Sequence, residues 1–269
     1  MKTPNNEKNS ISSQASKVPL SEEFREAYTL HLADTTLILA QRNSEWCAHG
    51  PILEQDIAIT NISLDLLGQS RNFYQYAASL INNATEDSLA YLRTEREFKN
   101  LLLTELPNGD WAQTVLRQFL FSVYQSLVYE QLQKSSDEQL AAIAQKSLKE
   151  ITYHIKWSSE WVIRLGDGTT ESNARMKKAI EAIWEYTGEL FIPSGYEIEL
   201  AATGIGTDPA LLKQSWLQKV REVFDEATLA MPSDRFMQTG GKQGTHTEHL
   251  GYILAEMQSL QRTYPGAAW

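Results

Sequence analysis

The chain has 269 residues, of which 42% are hydrophobic and 22% charged, a balance that allows a sizeable core. Its formal net charge of −10 argues against nucleic acid as a partner, and no apolar run is long enough to cross a membrane. The single cysteine, Cys47, excludes an internal disulfide and favours a reducing cytoplasm.

Residues 1–20 are rich in Asn, Ser and Lys and poor in large apolar residues. This composition predicts a disordered N-terminal extension and not a secretory signal. Helical spacing of apolar residues begins at Ser21, and we expect residues 21–269 to form a single helical domain.

Four long helices are predicted by that spacing, at 21–48, from Pro51 to the Asn82–Asn83 pair, at 111–134 and at 138–165. An insertion at 86–105, with one or two short helices, separates the second from the third. The connections are otherwise short, which predicts an antiparallel four-helix bundle. Three further helices are expected, at 172–191, 208–230 and 245–263, and the irregular segment 192–207 is the one stretch with room for a short strand.

The second helix is predicted to be buried, because its apolar residues point in nearly every direction: Ile57, Ile59, Ile62, Leu64, Leu66, Leu67 and Phe73. A narrow polar stripe interrupts them, formed by Asn61, Asp65, Gln69 and Asn72. Polar residues facing other helices are how bundles build internal sites, so this stripe is the first candidate for chemistry.

A di-iron carboxylate bundle needs a Glu from each of two helices and a Glu-x-x-His from each of the other two. The corresponding positions here are Gln41, Asp65, Gly68, Ser122, Glu150, Tyr153 and His154. Only Asp65, Glu150 and His154 could bind a metal, which is too few for two ions. The pattern therefore favours a hydrogen-bonded polar core, with one weakly bound metal as the alternative.

Two other groups of residues are candidates for function. Glu45 and His49 stand four apart around Cys47, a spacing that suits a metal but is more typical of an ion pair or cap at a helix end. The glycine-rich stretch 239–249 precedes a helix, where backbone N–H groups can bind an anion or a partner. Its candidate contact residues are Gly240, Gly241, Lys242, Gly244, His246 and His249. A capping box formed by Thr245 and Glu248 is the purely structural alternative.

Several long segments resemble the PaaC family, a component of the bacterial phenylacetyl-CoA epoxidase complex. They include QRNSEWCAHGP at 41–51, NLLLTELPNGDWAQTVLRQ at 100–118, KEITYH at 149–154 and TGGKQGTHTEHLGYILAEMQSLQR at 239–262. The resemblance runs in order from about residue 26 to Trp269.

The resemblance implies a ferritin-like bundle and a place in aerobic phenylacetate breakdown. In that complex the sister subunit PaaA carries the di-iron site, and O2 and NADPH are consumed. The chain is therefore expected to be a non-catalytic structural subunit that binds PaaA and other subunits, with no cofactor, nucleic acid or membrane of its own. Two rivals are an oxygenase with an unusual metal site and a CoA-thioester binding module that uses the 239–249 stretch.

Overall fold

The structure is a computed structural model that describes residues 20–267, so the predicted extension lies outside it except for Leu20, the first helical residue. The helices are α1 Leu20–Ser44, α2 Leu53–Leu80, α3 Glu86–Tyr91, α4 Leu102–Glu105, α5 Trp111–Leu132, α6 Glu138–Gly166, α7 Thr170–Ile183, α8 Gly195–Ala202, α9 Lys213–Glu226 and α10 Glu248–Thr263. Short 3-10 turns connect several of them. No strand occurs between residues 20 and 267, and the all-α prediction is confirmed.

The centre of the fold is a ferritin-like bundle of α1, α2, α5 and α6, as predicted. α1 packs along α2, α5 packs along α6, and α2 meets α6. Each pair is antiparallel. Between α2 and α6, for example, Gln55 near the start of α2 accepts a hydrogen bond from Trp161 near the end of α6, and Gln69 further along α2 donates one to Glu150, which comes earlier in α6. The later helices cover the outside, α7 and α9 on the α5–α6 pair and α8 and α10 on α1.

Side-chain caps explain where several helices begin. Asp110 accepts a hydrogen bond from the N–H of Gln113 at the start of α5, and Asp137 caps α6 in the same way. At α8, Ser194 and Glu197 form a reciprocal capping box. The expectation of a short strand within 192–207 is therefore wrong, because this cap starts a helix there.

Two predicted helix ends also need correction. α1 ends at Ser44 and not at 48, because the chain turns there and Ala48 takes a left-handed φ of 66°. The predicted capping box of Thr245 and Glu248 is wrong: Thr247 is the N-cap of α10, and its hydroxyl accepts from the N–H of His249.

The prediction that α2 is buried on nearly all sides is wrong for one face. Ile57 is 53% exposed and Leu64 is 59% exposed, whereas Ile59, Ile62 and Leu66 are fully buried. Within residues 20–267 there is no helix with the length and hydropathy that a bilayer span requires.

Candidate functional site

The polar stripe of α2 meets α5 and α6 in the interior, and we call the resulting row of contacts the polar seam. Gln69 is its centre: its amide nitrogen donates to Glu150 at 2.8 Å, and its amide oxygen accepts from Gln125 at 2.9 Å. Nearer the surface, Nε2 of His154 lies 3.0 Å from Oδ2 of Asp65. The carboxylates are thus each paired with a different neighbour.

A second part of the polar seam joins α1 to α5. Asn43 donates to Gln118 at 2.7 Å, and Gln118 donates to the hydroxyl of Ser122 at 2.8 Å. These side chains are fully buried. Amide and hydroxyl groups that are hydrogen-bonded to one another satisfy the burial requirement of polar atoms without any ion.

The structure separates the seven positions that the sequence aligned with a di-iron site. It brings Asp65 to His154, and it places Glu150 and Ser122 in the polar seam. The remaining three do not lie in the polar seam: Gln41 is half-buried, and Gly68 and Tyr153 are exposed. Within residues 20–267, no three His, Cys, Asp or Glu side chains lie close enough together to hold a metal ion.

Sequence reasoning missed Asn43, Gln118 and Gln125, although they are central to the polar seam. The available signal was on α5, where Gln118, Ser122, Gln125 and Tyr129 recur at spacings of four, three and four. Such a line of polar residues inside an apolar helix indicates an internal network. Of the α2 stripe, Asn61 is exposed and Asn72 half-buried.

Glu45 and His49 do not converge on a common ligand position. The Glu45 carboxylate accepts from Arg42 at 2.8 Å and from Asn108 at 2.9 Å. Nδ1 of His49 lies 3.0 Å from the carbonyl oxygen of Cys47. The structure thus shows the helix-end pairing, the more typical of the two interpretations of this spacing.

The stretch 239–247, which we call the connector loop, lies against the body of the fold. Lys242 is only 1% exposed, and its ammonium donates to both carboxylate oxygens of Glu197, at 2.9 and 3.0 Å. It also donates to the carbonyl oxygen of Ile192 at 3.0 Å. Lys242 is therefore not a surface contact, contrary to its place among the predicted anion or partner contacts.

The backbone of the connector loop is also occupied internally. The N–H groups of Gly240 and Gly241 donate to Oε1 of Glu189, at 2.8 and 2.7 Å. The N–H of Leu102 donates to the other oxygen of the same carboxylate at 2.8 Å. An anion is indeed bound by this loop, but the anion is a buried glutamate of the chain.

His246 makes the third attachment of the connector loop. Nδ1 of its ring lies 2.8 Å from the Glu105 carboxylate, and Nε2 donates to the carbonyl oxygen of Phe98 at 3.0 Å. The backbone N–H of Thr247 donates to the other oxygen of Glu105 at 2.6 Å. Of the six predicted contact residues, Gly241 and Lys242 are buried, and the other four are half-buried: Gly240, Gly244, His246 and His249.

Burial and charge set the protonation of these groups in opposite directions. Burial opposes the charged form of Glu197, but the Lys242 ammonium, His31 and the N–H of Ser194 together outweigh it and lower the pKa of the carboxyl. Burial likewise opposes protonation of His246, yet its bond to Glu105 raises the pKa of the imidazole. His31 lies 3.9 Å from Glu197, and burial lowers the pKa of its imidazole. The charged form of Glu197 is therefore favoured inside the fold, whereas burial favours the neutral form of His31.

The geometry of the connector loop and the polar seam can be compared with known proteins. Residues 9–269 match the family model described as "Phenylacetic acid catabolic protein". The chain is 49% identical, over 243 residues, to the C subunit of 1,2-phenylacetyl-CoA epoxidase from Escherichia coli (strain K12). That alignment covers 90% of this chain and 98% of the relative. The chain belongs to the phenylacetic acid catabolic protein family.

Proposed function

We propose that this member of the phenylacetic acid catabolic protein family is a structural subunit of a phenylacetyl-CoA epoxidase, which binds and supports the catalytic subunit PaaA. The observation that carries the proposal is the near-full-length match to the C subunit of the Escherichia coli epoxidase. A match over almost the whole of both chains favours the same role in the complex. The free, exposed Cys47 agrees with a cytoplasmic location.

The donor set of the polar seam supports a non-catalytic role. Two irons need several carboxylates that face a common centre, together with imidazoles at helical spacing. Here Asp65 pairs with His154, and Glu150 accepts a hydrogen bond from Gln69. Ser122 accepts one from the amide of Gln118, and the other three positions, Gln41, Gly68 and Tyr153, lie outside the polar seam. These residues do not fit a di-iron centre, so we assign the di-iron site and the use of O2 and NADPH to the sister subunit.

The contacts of the connector loop argue against the alternative hypothesis, a CoA-thioester binding module. That hypothesis required Lys242 and the glycine N–H groups to face a phosphate from solvent. In the structure Lys242 bonds Glu197, and Gly240 and Gly241 bond Glu189. A phosphate would have to displace two buried carboxylates, which we expect not to occur.

Two measurements on the purified chain test the proposal. After anaerobic loading with ferrous iron and desalting, elemental analysis should find no stoichiometric iron. Mixed with PaaA, the chain should co-elute in gel filtration, and phenylacetyl-CoA-dependent NADPH consumption should appear only when PaaA and the other subunits are added. Two irons per chain would contradict the non-catalytic role, and failure to associate with PaaA would contradict the structural role.

A further inference from the structure

The middle parts of α1 and α5 are fully buried, whereas α2 and α6 keep exposed residues along their length. Residues 31–40 of α1 and residues 114–125 of α5 are buried without interruption. α2 and α6, by contrast, alternate buried and exposed residues along their whole length. α3 contacts part of α2, and α7 and α9 contact one side of α6. The outer side of this neighbouring pair, which we call the α2–α6 face, is therefore the least covered part of the bundle.

An apolar stripe runs along the α2 side of this face. Leu53 is 71% exposed, and Ile57 and Leu64 follow it at spacings of four and seven, which place all three on one side of the helix. Gly68 extends the stripe by four residues, and a Cβ added there would meet nothing within 4 Å. Exposed aliphatic residues aligned over several turns of one helix mark an interaction site more often than isolated ones do.

A row of lysines runs along the α6 side of the same face. Lys146, Lys149 and Lys156 are exposed, as is Tyr153 between them. The acidic groups in that stretch are Glu160, which is exposed, and Glu150, which Gln69 holds in the polar seam. A basic row is unusual on a chain whose net charge is −10. It calls for a partner that presents acidic residues beside an apolar stripe.

The dimensions of the face fit a stable protein interface. α2 has 28 residues and α6 has 29, so each is about 42 Å long at 1.5 Å per residue. Two adjacent helices, each about 10 Å wide, give a face of roughly 840 Å². A standard interface buries about 800 Å² on each partner.

We propose that the α2–α6 face binds a long helix of another subunit of the epoxidase complex, with apolar residues against the α2 stripe and acidic residues against the α6 lysines. This inference rests on the proposed function. Gly68 lets the backbone of the partner helix approach closely, because it has no side chain to hold it away. A second copy of this chain is a poorer occupant, since a two-fold dimer would bring two basic rows into one interface.

The test compares two chains that each gain positive charge at exposed apolar positions. Ile57→Arg/Leu64→Arg changes the α2 stripe, and Leu211→Arg changes a residue that is 77% exposed on the 3-10 turn before α9. Both chains should keep the wild-type melting temperature because the replaced side chains are largely outside the core. Each is then titrated with the other subunits of the complex, one at a time, by light scattering and surface-immobilised binding.

We expect the double variant to bind its partner subunit at least tenfold more weakly and Leu211→Arg to bind as wild type does. Lys146→Glu/Lys149→Glu should slow association and remove most of its salt dependence. Wild-type affinity in the Ile57→Arg/Leu64→Arg chain would overturn the inference while leaving the proposed function intact. Failure of the wild-type chain to bind any subunit would instead overturn the proposed function. A wild-type homodimer that the double variant abolishes would assign the face to a second copy and also overturn the inference.

Discussion

Replacing Lys242 by methionine should destabilise the fold strongly. The substitution keeps an unbranched side chain of nearly the same length but removes an ammonium that lies 2.9 Å from Glu197 in a buried site. Glu197 would retain Ser194 and the more distant His31 as its partners. Removing one member of a buried ion pair costs about 3–5 kcal/mol, because the other charge remains desolvated. For a chain of this size that corresponds to a fall in Tm of roughly 6–20 °C.

The assay is thermal unfolding monitored by circular dichroism, with Lys219→Met as the matched control. Lys219 pairs with Glu222 at 3.5 Å on the surface, and its loss should change stability by less than about 1 kcal/mol. Lys242→Met/Glu197→Gln removes both charges and should recover part of the loss. If Lys242→Met melts within about 2 °C of wild type, the connector loop is not held by this ion pair and the reasoning fails.

Three further predictions concern other contacts. The pKa of His246 is raised above its ordinary value of 6.5, so the stability it adds is present below about pH 6.5 and lost as pH rises through the folded-state pKa. His246→Gln should therefore flatten the decline in urea-unfolding free energy above that pH. Gln69→Leu should cost about 1–3 kcal/mol in the same assay by leaving Glu150 and Gln125 without their shared partner, with no loss of subunit binding. In calorimetry, Gly241→Ala should melt at a lower temperature than wild type, because the added Cβ would lie 2.2 Å from a backbone oxygen. Gly68→Ala should be more stable by about 1 kcal/mol, because alanine has the higher helix propensity and its Cβ meets nothing within 4 Å. Equal melting temperatures of the two variants would contradict both expectations.

The bundle was predictable because its information is local. Apolar spacing and capping residues such as Asp110 and Asp137 lie within a few positions of the helix ends they determine. α8 was missed because Tyr196, Ile198 and Leu200 alternate like a strand, whereas the capping box at Ser194 starts a helix. Local pattern and local cap disagreed there, and the cap was decisive.

The role of the connector loop was not predictable, because its partners are far away in the sequence. Glycine, lysine and histidine before a helix are typical of an exposed anion site, and nothing nearby in the sequence shows otherwise. The carboxylates that pair with them inside the fold are far away in the sequence. Glu105 lies 141 residues before His246, and Glu197 lies 45 residues before Lys242. Similarly, the apolar spacing of α2 did not show that Ile57 and Leu64 lie on an exposed side of the helix, because that depends on which helices pack around α2.

The attachment of the connector loop also determines when, during synthesis, the fold of this protein can close. Glu105 leaves the ribosome 141 residues before His246, a delay of roughly 7–30 s at ordinary translation rates. Glu189 and Glu197 are likewise synthesised before their partners, Gly240 and Lys242. Until then, closing the fold would bury three carboxylates without their partners, so we expect the nascent chain to remain open and protease-sensitive. A polypeptide truncated before residue 239 should accordingly be degraded in the cell, although it contains all four bundle helices.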